Sequence, residues 1–131
     1  WQNYLKEINN FIVLEPKYYF ENLYIGGGCP PILTQKGWLL IYHAVEKKLS
    51  GKVYHAGAAL LDKDDPTKLI GQLPSPLFSP EKPWEKTGNT DNVVFPTGAV
   101  QKNGRIYIYY GAADKVIAAK SLDLTTLLDE L

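Results

Sequence analysis

The sequence is poor in residues on which several classes of protein depend. Among 131 residues there is one cysteine, Cys29, and no methionine, and only one of the 14 basic residues is an arginine, Arg105. A single cysteine excludes a disulfide framework and a cysteine-based zinc cluster within the chain. Scarce arginine and a net charge of zero argue against a nucleic-acid partner. No apolar run approaches the roughly 20 residues that span a bilayer, so no membrane partner is expected.

What the sequence does contain is an internal repeat. Residues 31–44 and 96–111 each begin with a proline and a short apolar run, followed by a Gln-Lys turn with glycine. A β-branched and aromatic run then ends in Tyr-His in the first copy and Tyr-Tyr in the second. The turn glycines, Gly37 and Gly104, are 67 residues apart. A repeat of this length indicates a modular architecture.

Each copy is typical of short antiparallel strands. Lys36-Gly37 and Asn103-Gly104 tolerate positive φ and therefore predict tight hairpin turns. We predict strands over 38–45, 53–61, 105–111 and 116–122, with an edge strand near 71–78, where prolines are tolerable. Repeated four-stranded units favour the blades of a β-propeller, whereas a β-sandwich would not demand a repeat. The fold class is therefore all-β.

Helices are predicted only at the ends. Leucines at helical spacing after Asp123, a good N-cap, predict a short C-terminal helix, and residues 2–10 are a second candidate. Residues 79–92 are polar, contain Trp84 and are predicted to form a surface connection.

The chain holds only about two blade-like units, near residues 25–80 and 92–124, whereas propellers close with four to eight blades. Uncovered blades require either the remaining blades of a larger protein or further copies of the chain. The absent methionine favours the first, so residues 1–131 are interpreted as the C-terminal part of one propeller domain.

Three stretches could carry chemistry. In 24–31, three glycines and two prolines allow either close approach of a ligand or a tight structural turn, and Cys29 is interpreted as a buried residue. His43 ends an apolar strand, and the repeat aligns Tyr110 with it, which suggests a shared opening; His55 is interpreted as structural. In the third stretch, Asp114 follows a Gly-Ala-Ala turn and could accept sugar hydroxyls or cap the turn. No histidine or cysteine pair has the spacing of metal ligands, so no metal site is expected.

At these stretches the sequence resembles glycoside hydrolase family 130, the mannoside phosphorylases and related mannosidases. The resemblance runs in order from about residue 16 to the end, and the segments that carry it are 25–32, 37–43, 57–62, 92–98 and 109–114. It implies a five-bladed β-propeller, of which the chain supplies about two four-stranded blades and a short C-terminal helix. It also implies cleavage of β-mannosides with inversion, by inorganic phosphate or by water.

The resemblance assigns roles to individual residues. His43 corresponds to a phosphate-binding histidine, and Phe95 and Asp114 correspond to residues that line the sugar subsite; Tyr110 is a further candidate. Tyr24 occupies the place of a basic phosphate ligand. Because a phosphate dianion needs charged donors, this substitution favours hydrolysis; a phosphate site supplied by upstream residues and a different acceptor are the two alternatives. No catalytic residue is assigned within the chain, since the general acid of the family lies in earlier blades.

No cofactor is expected, and inorganic phosphate is the only co-substrate that the resemblance offers. The expected partner is a mannoside oligosaccharide. An alternative is a non-catalytic carbohydrate-binding or assembly module, motivated by the missing blades. Little in the sequence bears on localisation; the lone cysteine favours the cytoplasm, and an export signal upstream is not excluded.

Overall fold

The protein consists of two antiparallel β-sheets with short helices at its ends and between the sheets. We describe a computed structural model that covers the backbone of residues 1–131 and every side chain except those of Tyr4 and Ile8. Short 3₁₀ turns cover Ile8–Phe11 and Tyr19–Glu21. The helices and strands are α1 (Gln2–Lys6), β1 (Tyr24–Gly27), β2 (Ile32–Leu33), β3 (Trp38–Lys48), β4 (Gly51–Leu61), β5 (Leu69–Gln72), α2 (Pro83–Lys86), β6 (Val94–Lys102), β7 (Arg105–Ala112), β8 (Val116–Asp123) and α3 (Leu124–Glu130).

The first sheet has the order β1-β3-β4-β5, and β2 also pairs with β3. β4 pairs with β3 along its whole length, so β1 and β2 must both lie along the other edge of β3. They act as one inner strand that is interrupted by Gly28-Cys29-Pro30-Pro31. The glycine-proline stretch is thus a bulge that bends the inner strand. The first sheet is four strands across, as the sequence predicts.

The second sheet has three strands, in the order β6-β7-β8. Its inner strand β6 also has a register shift, between Pro96 and Gly98, at the point that corresponds to the bulge of the first sheet. The β6–β7 hairpin turns at Asn103-Gly104, where both residues have positive φ (52° and 73°), as the sequence predicts. No outer fourth strand is present in the part of the chain that the structure describes.

The main core lies between the two sheets. Strands alternate inward and outward side chains, and the inward apolar residues of β3 and β7, among them Leu39, Ile41, Ile106 and Ile108, are fully buried. Helix α3 contributes Leu124, Leu127 and Leu128 to this core. Asp123 caps α3 by accepting the backbone N–H of Thr126 at 2.8 Å, which confirms the predicted N-cap.

Each of the two segments that precede the inner strands contains one buried glutamate, a feature that the sequence did not predict. Glu21 and Glu85 each end a Pro-x-x-x-x-Glu segment, and both are almost completely buried. Each accepts two backbone N–H groups three and four residues upstream and one tyrosine hydroxyl at 2.5 Å, from Tyr42 or Tyr110 respectively. A buried charge needs such donors, so each pair fixes the turn that leads into an inner strand.

These pairs correct the alignment of the repeat. Tyr110 occupies the position of Tyr42, because both donate to the buried glutamate, whereas His43 corresponds to Gly111. The prediction that Tyr110 is equivalent to His43 is therefore wrong by one residue. The hairpin loops differ in length, with four residues at 34–37 and two at 103–104, so that aligning their glycines does not align the strands.

Two other boundaries differ from the prediction. The outer strand ends at Gln72, before the prolines, and Phe78 joins β4 only through an isolated bridge to Ala56. Proline lacks the N–H that a ladder needs, which ends the pairing. The connection at 79–92 is exposed at Trp84, as predicted, and contains the short helix α2.

Candidate functional site

Four aromatic side chains from both sheets form one cluster, here called the aromatic cluster: Tyr24, His43, Tyr54 and Phe95. The His43 and Phe95 rings are stacked, with centroids 4.3 Å apart and planes 28° apart. Tyr24 meets His43 edge to face at 6.4 Å, and Tyr54 lies parallel to His43 at 6.5 Å. The cluster therefore bridges the inner strands of the two sheets and is partly open to solvent.

The main chain of the inner strand holds the His43 ring. The His43 Nδ1–H donates to the Gly27 carbonyl at 2.9 Å, and a side chain on Gly26 would overlap the ring. Burial lowers the pKa of His43, an effect partly opposed by the Gly27 carbonyl, so the ring is neutral at pH 7. Since Nδ1 carries the hydrogen, Nε2 of the neutral ring carries a lone pair and accepts hydrogen bonds.

The hydroxyl groups of Tyr24 and Tyr54 form a hydrogen-bonded pair, with the two oxygens 2.8 Å apart. The bond to Tyr24, together with burial and the nearby charge of Asp114, raises the pKa of Tyr54 to about 12. Tyr54 therefore stays protonated at neutral pH. At the place where the family resemblance expects a basic side chain, the structure has two neutral hydroxyl groups.

Asp114 lies in the turn between β7 and β8 and is exposed. Both Ala113 and Asp114 have positive φ, 48° and 50°, a conformation that non-glycine residues adopt at a cost. Val93 pairs with Tyr54 through an isolated bridge and accepts the backbone N–H of Ala113 at 3.0 Å, so the turn that carries Asp114 lies next to Tyr54. The structure thus brings Tyr24, His43 and Phe95 into contact and places the Asp114 turn beside them; these are four of the five predicted site residues.

Tyr110, the fifth, is not in the aromatic cluster. Its side chain is buried in the core between the sheets, where its ring lies 5.1 Å from that of Phe78 and its hydroxyl donates to Glu85. Burial and the Glu85 carboxylate raise the pKa of the Tyr110 hydroxyl. Because side chains alternate along a strand, a one-residue error in register moves Tyr110 from the site into the core.

Sequence reasoning missed Tyr54. In the β3–β4 hairpin Tyr54 is directly opposite Val45, and cross-strand neighbours share a face, so Tyr54 lies on the same face as His43. The hairpin register was the signal that could have found it. The neighbouring His55 points away and is buried, bonded to Ser79 and Glu46, which agrees with its structural interpretation.

The glycine-proline stretch supports the site without joining it. A Cβ on Gly28 would lie 2.7 Å from the Ile41 carbonyl oxygen, so a side chain here would push the inner strand away from β3; it would also crowd the Pro96 carbonyl oxygen, at 3.2 Å. Cys29 is buried, and burial raises the pKa of its thiol to about 11, so it stays protonated at neutral pH.

The described side chains include no group of three or more His, Cys, Asp or Glu that could hold a metal ion. Among the described residues no helix is long and apolar enough to cross a membrane. Stacked aromatic rings beside a carboxylate and neutral hydroxyl groups suit a polar, ring-shaped ligand such as a sugar.

These observations define a class of protein. It is all-β, with blade-like sheets and an aromatic site beside a carboxylate at their inner strands. The family model described as beta-1,4-mannooligosaccharide phosphorylase matches residues 1–131. The chain belongs to glycoside hydrolase family 130.

Similar proteins agree with this assignment. The chain is 46% identical to 1,2-beta-oligomannan phosphorylase of Thermoanaerobacter sp. (strain X514) over 105 residues, which are 80% of the chain and 34% of that protein. Beta-1,2-mannobiose phosphorylase from Listeria innocua, solved with beta-1,2-mannobiose, has a TM-score of 0.79 and 37% identity over 88% of the chain and 32% of its own. The chain spans about a third of the length of these relatives.

A further solved structure is also similar. It comes from work on glycoside hydrolases within this family of mannoside phosphorylases, which target beta-1,2 mannosidic linkages in Candida mannan. It has a TM-score of 0.75 and 32% identity over 86% of this chain and 34% of that one. These propeller-fold neighbours confirm the predicted fold class, all-β with blade-like sheets and a short C-terminal helix.

Proposed function

We propose that the chain forms two blades of a five-bladed propeller that cleaves β-mannosides with inversion at the anomeric carbon. The observation that carries the proposal is the aromatic cluster beside Asp114, at the inner strands of a family 130 chain. The similar proteins are phosphorylases of β-linked mannosides, which supports the proposal. The length of those proteins supports a role for further blades outside the chain.

Each site residue has a role that follows from its chemistry. The exposed part of the stacked Phe95 and His43 rings offers an apolar face to the carbon-bound hydrogens of a sugar. The Asp114 carboxylate accepts hydrogen bonds from sugar hydroxyls, which are charge-assisted and therefore strong. The neutral His43 Nε2 and the Tyr24–Tyr54 pair add one acceptor and two hydroxyl groups. The general acid comes from outside these residues, since none of them is a buried acid aimed at the cluster.

We propose that water, and not phosphate, receives the mannosyl group when the glycosidic bond is cleaved. A phosphate dianion is stabilised by charged donors. Here the place of a basic ligand is taken by Tyr24, bonded to the neutral Tyr54, and His43 is neutral at pH 7. An inverting hydrolase needs a carboxylic acid and a carboxylate about 6.5–9.5 Å apart to leave room for water. Phosphate remains the second candidate, favoured by the names of the similar proteins.

Turnover of β-1,2- and β-1,4-manno-oligosaccharides by the complete protein, with and without inorganic phosphate, tests this proposal. Hydrolysis predicts free mannose at a rate that does not depend on phosphate, whereas strict phosphate dependence with mannose 1-phosphate as product would refute it. The variant Tyr24→Lys adds the missing charge and should make the rate respond to phosphate. Tyr19→Lys, an exposed tyrosine outside the cluster, is the matched control.

The alternative function is a non-catalytic module that binds carbohydrate or mediates assembly. The observation that favours it is that the chain contains a partly exposed aromatic cluster but no assigned general acid. Binding of manno-oligosaccharide by the complete protein without any turnover would support it. Turnover by the complete protein would exclude it.

A further inference from the structure

The loop between α2 and β6, residues 87–93, connects the two ends of the site and is called here the bridging loop. At one end the Asn92 carbonyl accepts the backbone N–H of Tyr54 at 2.9 Å. At the other end the backbone N–H of Thr90 donates to the Ala113 carbonyl at 3.2 Å. The loop therefore sets the distance between Tyr54 on the first sheet and the Asp114 turn on the second.

Two residues of the bridging loop act directly on the turn. The Asn89 side-chain amide donates to the Asp114 carbonyl at 2.9 Å. Gly88 is packed so tightly that a Cβ there would overlap the Ala113 carbonyl and lie 2.6 Å from the Ala113 Cβ. Gly88 has no positive φ, so its glycine is required by this close approach and not by its backbone conformation.

The turn needs such support because its own conformation is unfavourable. Ala113 and Asp114 are consecutive residues with positive φ, and alanine has no side-chain group that compensates for it. Strained backbone persists only where the surroundings hold it, and it concentrates at functional sites. By contrast, the other tight hairpin with two positive φ values uses Asn103 and Gly104, which tolerate the conformation without help.

The base of the bridging loop is rigid. The buried Glu85 carboxylate fixes α2 through three hydrogen bonds, and the Glu85 carbonyl accepts the backbone N–H of Val93 at 3.0 Å. Glu85 keeps its charge: although burial acts to raise its pKa, its backbone donors and the Tyr110 hydroxyl together hold the pKa below its ordinary value. The loop is thus anchored in the core at one end and presses on the turn at the other.

We propose that Gly88 and Asn89 are positioning residues, which touch no substrate themselves and hold Asp114 where its carboxylate meets the sugar. This inference rests on the proposed function of Asp114 in binding a mannoside. Removing the Asn89 amide frees the turn, and adding a methyl group at Gly88 pushes it away. Both changes should move the same carboxylate by different routes.

The test uses Asn89→Ala and Gly88→Ala in the complete protein. The matched control is Gly104→Ala, which strains the β6–β7 turn at the opposite end of β7 and meets nothing within 4 Å. We expect kcat/KM for a manno-oligosaccharide to fall at least about tenfold in the first two variants and to stay unchanged in the control, because displacing a binding group by about 1 Å costs this much or more.

A second readout does not depend on activity. The Lys115 N–H donates to the Ala112 carbonyl at 3.1 Å and closes the turn, so its hydrogen exchange reports the state of the turn. Exchange at Lys115 should accelerate in Asn89→Ala and Gly88→Ala and not in Gly104→Ala. Unchanged exchange in both loop variants would overturn the proposal, as would accelerated exchange with unchanged kcat/KM. If the wild-type protein turns over no mannoside, the proposed function fails, while the exchange data still decide whether the loop holds the turn.

Discussion

Replacing Tyr110 with phenylalanine removes one hydrogen bond from a buried carboxylate and leaves the ring in place. The Tyr110 hydroxyl donates to Glu85 at 2.5 Å, and the remaining donors to Glu85, the N–H groups of Glu81 and Lys82, bind its other oxygen. In the variant, Oε1 of Glu85 is therefore left without a donor. Since a hydrogen bond to a charged group contributes about 1.5–3 kcal/mol, the free energy of unfolding should fall by that amount at pH 7.

The equivalent change in the first sheet is an internal comparison. Tyr42→Phe removes the same bond to Glu21, but there the Gln72 amide also donates to the same carboxylate oxygen, at 2.8 Å. That oxygen keeps a donor, so Tyr42→Phe should cost less than Tyr110→Phe. Equilibrium denaturation of the wild type and both variants in urea measures the difference.

The cost of Tyr110→Phe should also depend on pH in a defined window. The folded-state pKa of Glu85 lies below its ordinary value of 4.5, so the stability it contributes is present above pH 4.5 and is lost as the pH falls through the folded-state pKa. The pKa of Tyr110 is raised above 10.0, so its contribution is present below pH 10 and is lost as the pH rises through the folded-state pKa. The difference in the free energy of unfolding between the wild type and Tyr110→Phe should therefore be largest between pH 4.5 and pH 10.

Two outcomes would refute this reasoning. One is a loss below about 0.5 kcal/mol at pH 7, which is the range of surface substitutions without structural partners. The other is a cost that stays constant from pH 3 to pH 11. Either result would show that Glu85 is solvated or satisfied by donors other than Tyr110.

Three further changes test other parts of the structure. Gly28→Ala should destabilise by about 1–3 kcal/mol in thermal unfolding, because its Cβ would lie 2.7 Å from the Ile41 carbonyl oxygen. Gly27→Ala, which meets nothing within 4 Å, should be tolerated, and equal melting temperatures would contradict the close approach of Gly28 to β3. Asp114→Asn should lower kcat/KM by about ten- to hundredfold with little change in stability, and unchanged kinetics would remove Asp114 from the site. Asp123→Ala should cost about 0.5–2 kcal/mol by removing the N-cap of α3, and a smaller loss of helix stability would show that another group caps it.

Much of the fold could be predicted because its causes are local. Asn103-Gly104 defines a hairpin by its tolerance of positive φ, and Asp123 caps a helix with its own side chain. The runs on either side alternate with the period of a strand. The end of β5 at Gln72 was harder to predict from the sequence, because it depends on which backbone groups find hydrogen-bond partners before the prolines.

The site was partly predictable, and the failures have one cause. His43, Phe95, Asp114 and Tyr24 came from the family resemblance, and the structure joins His43, Phe95 and Tyr24 in one cluster with the Asp114 turn beside it. Tyr110 was misplaced because two hairpin loops of different length shift the strand register by one residue. Tyr54 was missed because its place beside His43 depends on the pairing of β3 with β4.

The sequence by itself determined the strands, the repeat and the family of this protein, since propensity, turn chemistry and motif order are properties of consecutive residues. Only the tertiary structure decided which side chains meet. The contacts of Tyr54 with Tyr24, of Tyr110 with Glu85 and of Asn89 with the Asp114 turn each join residues 25 or 30 positions apart. Such contacts depend on register and bulges, and a shift of one residue turns a side chain from the core to the site.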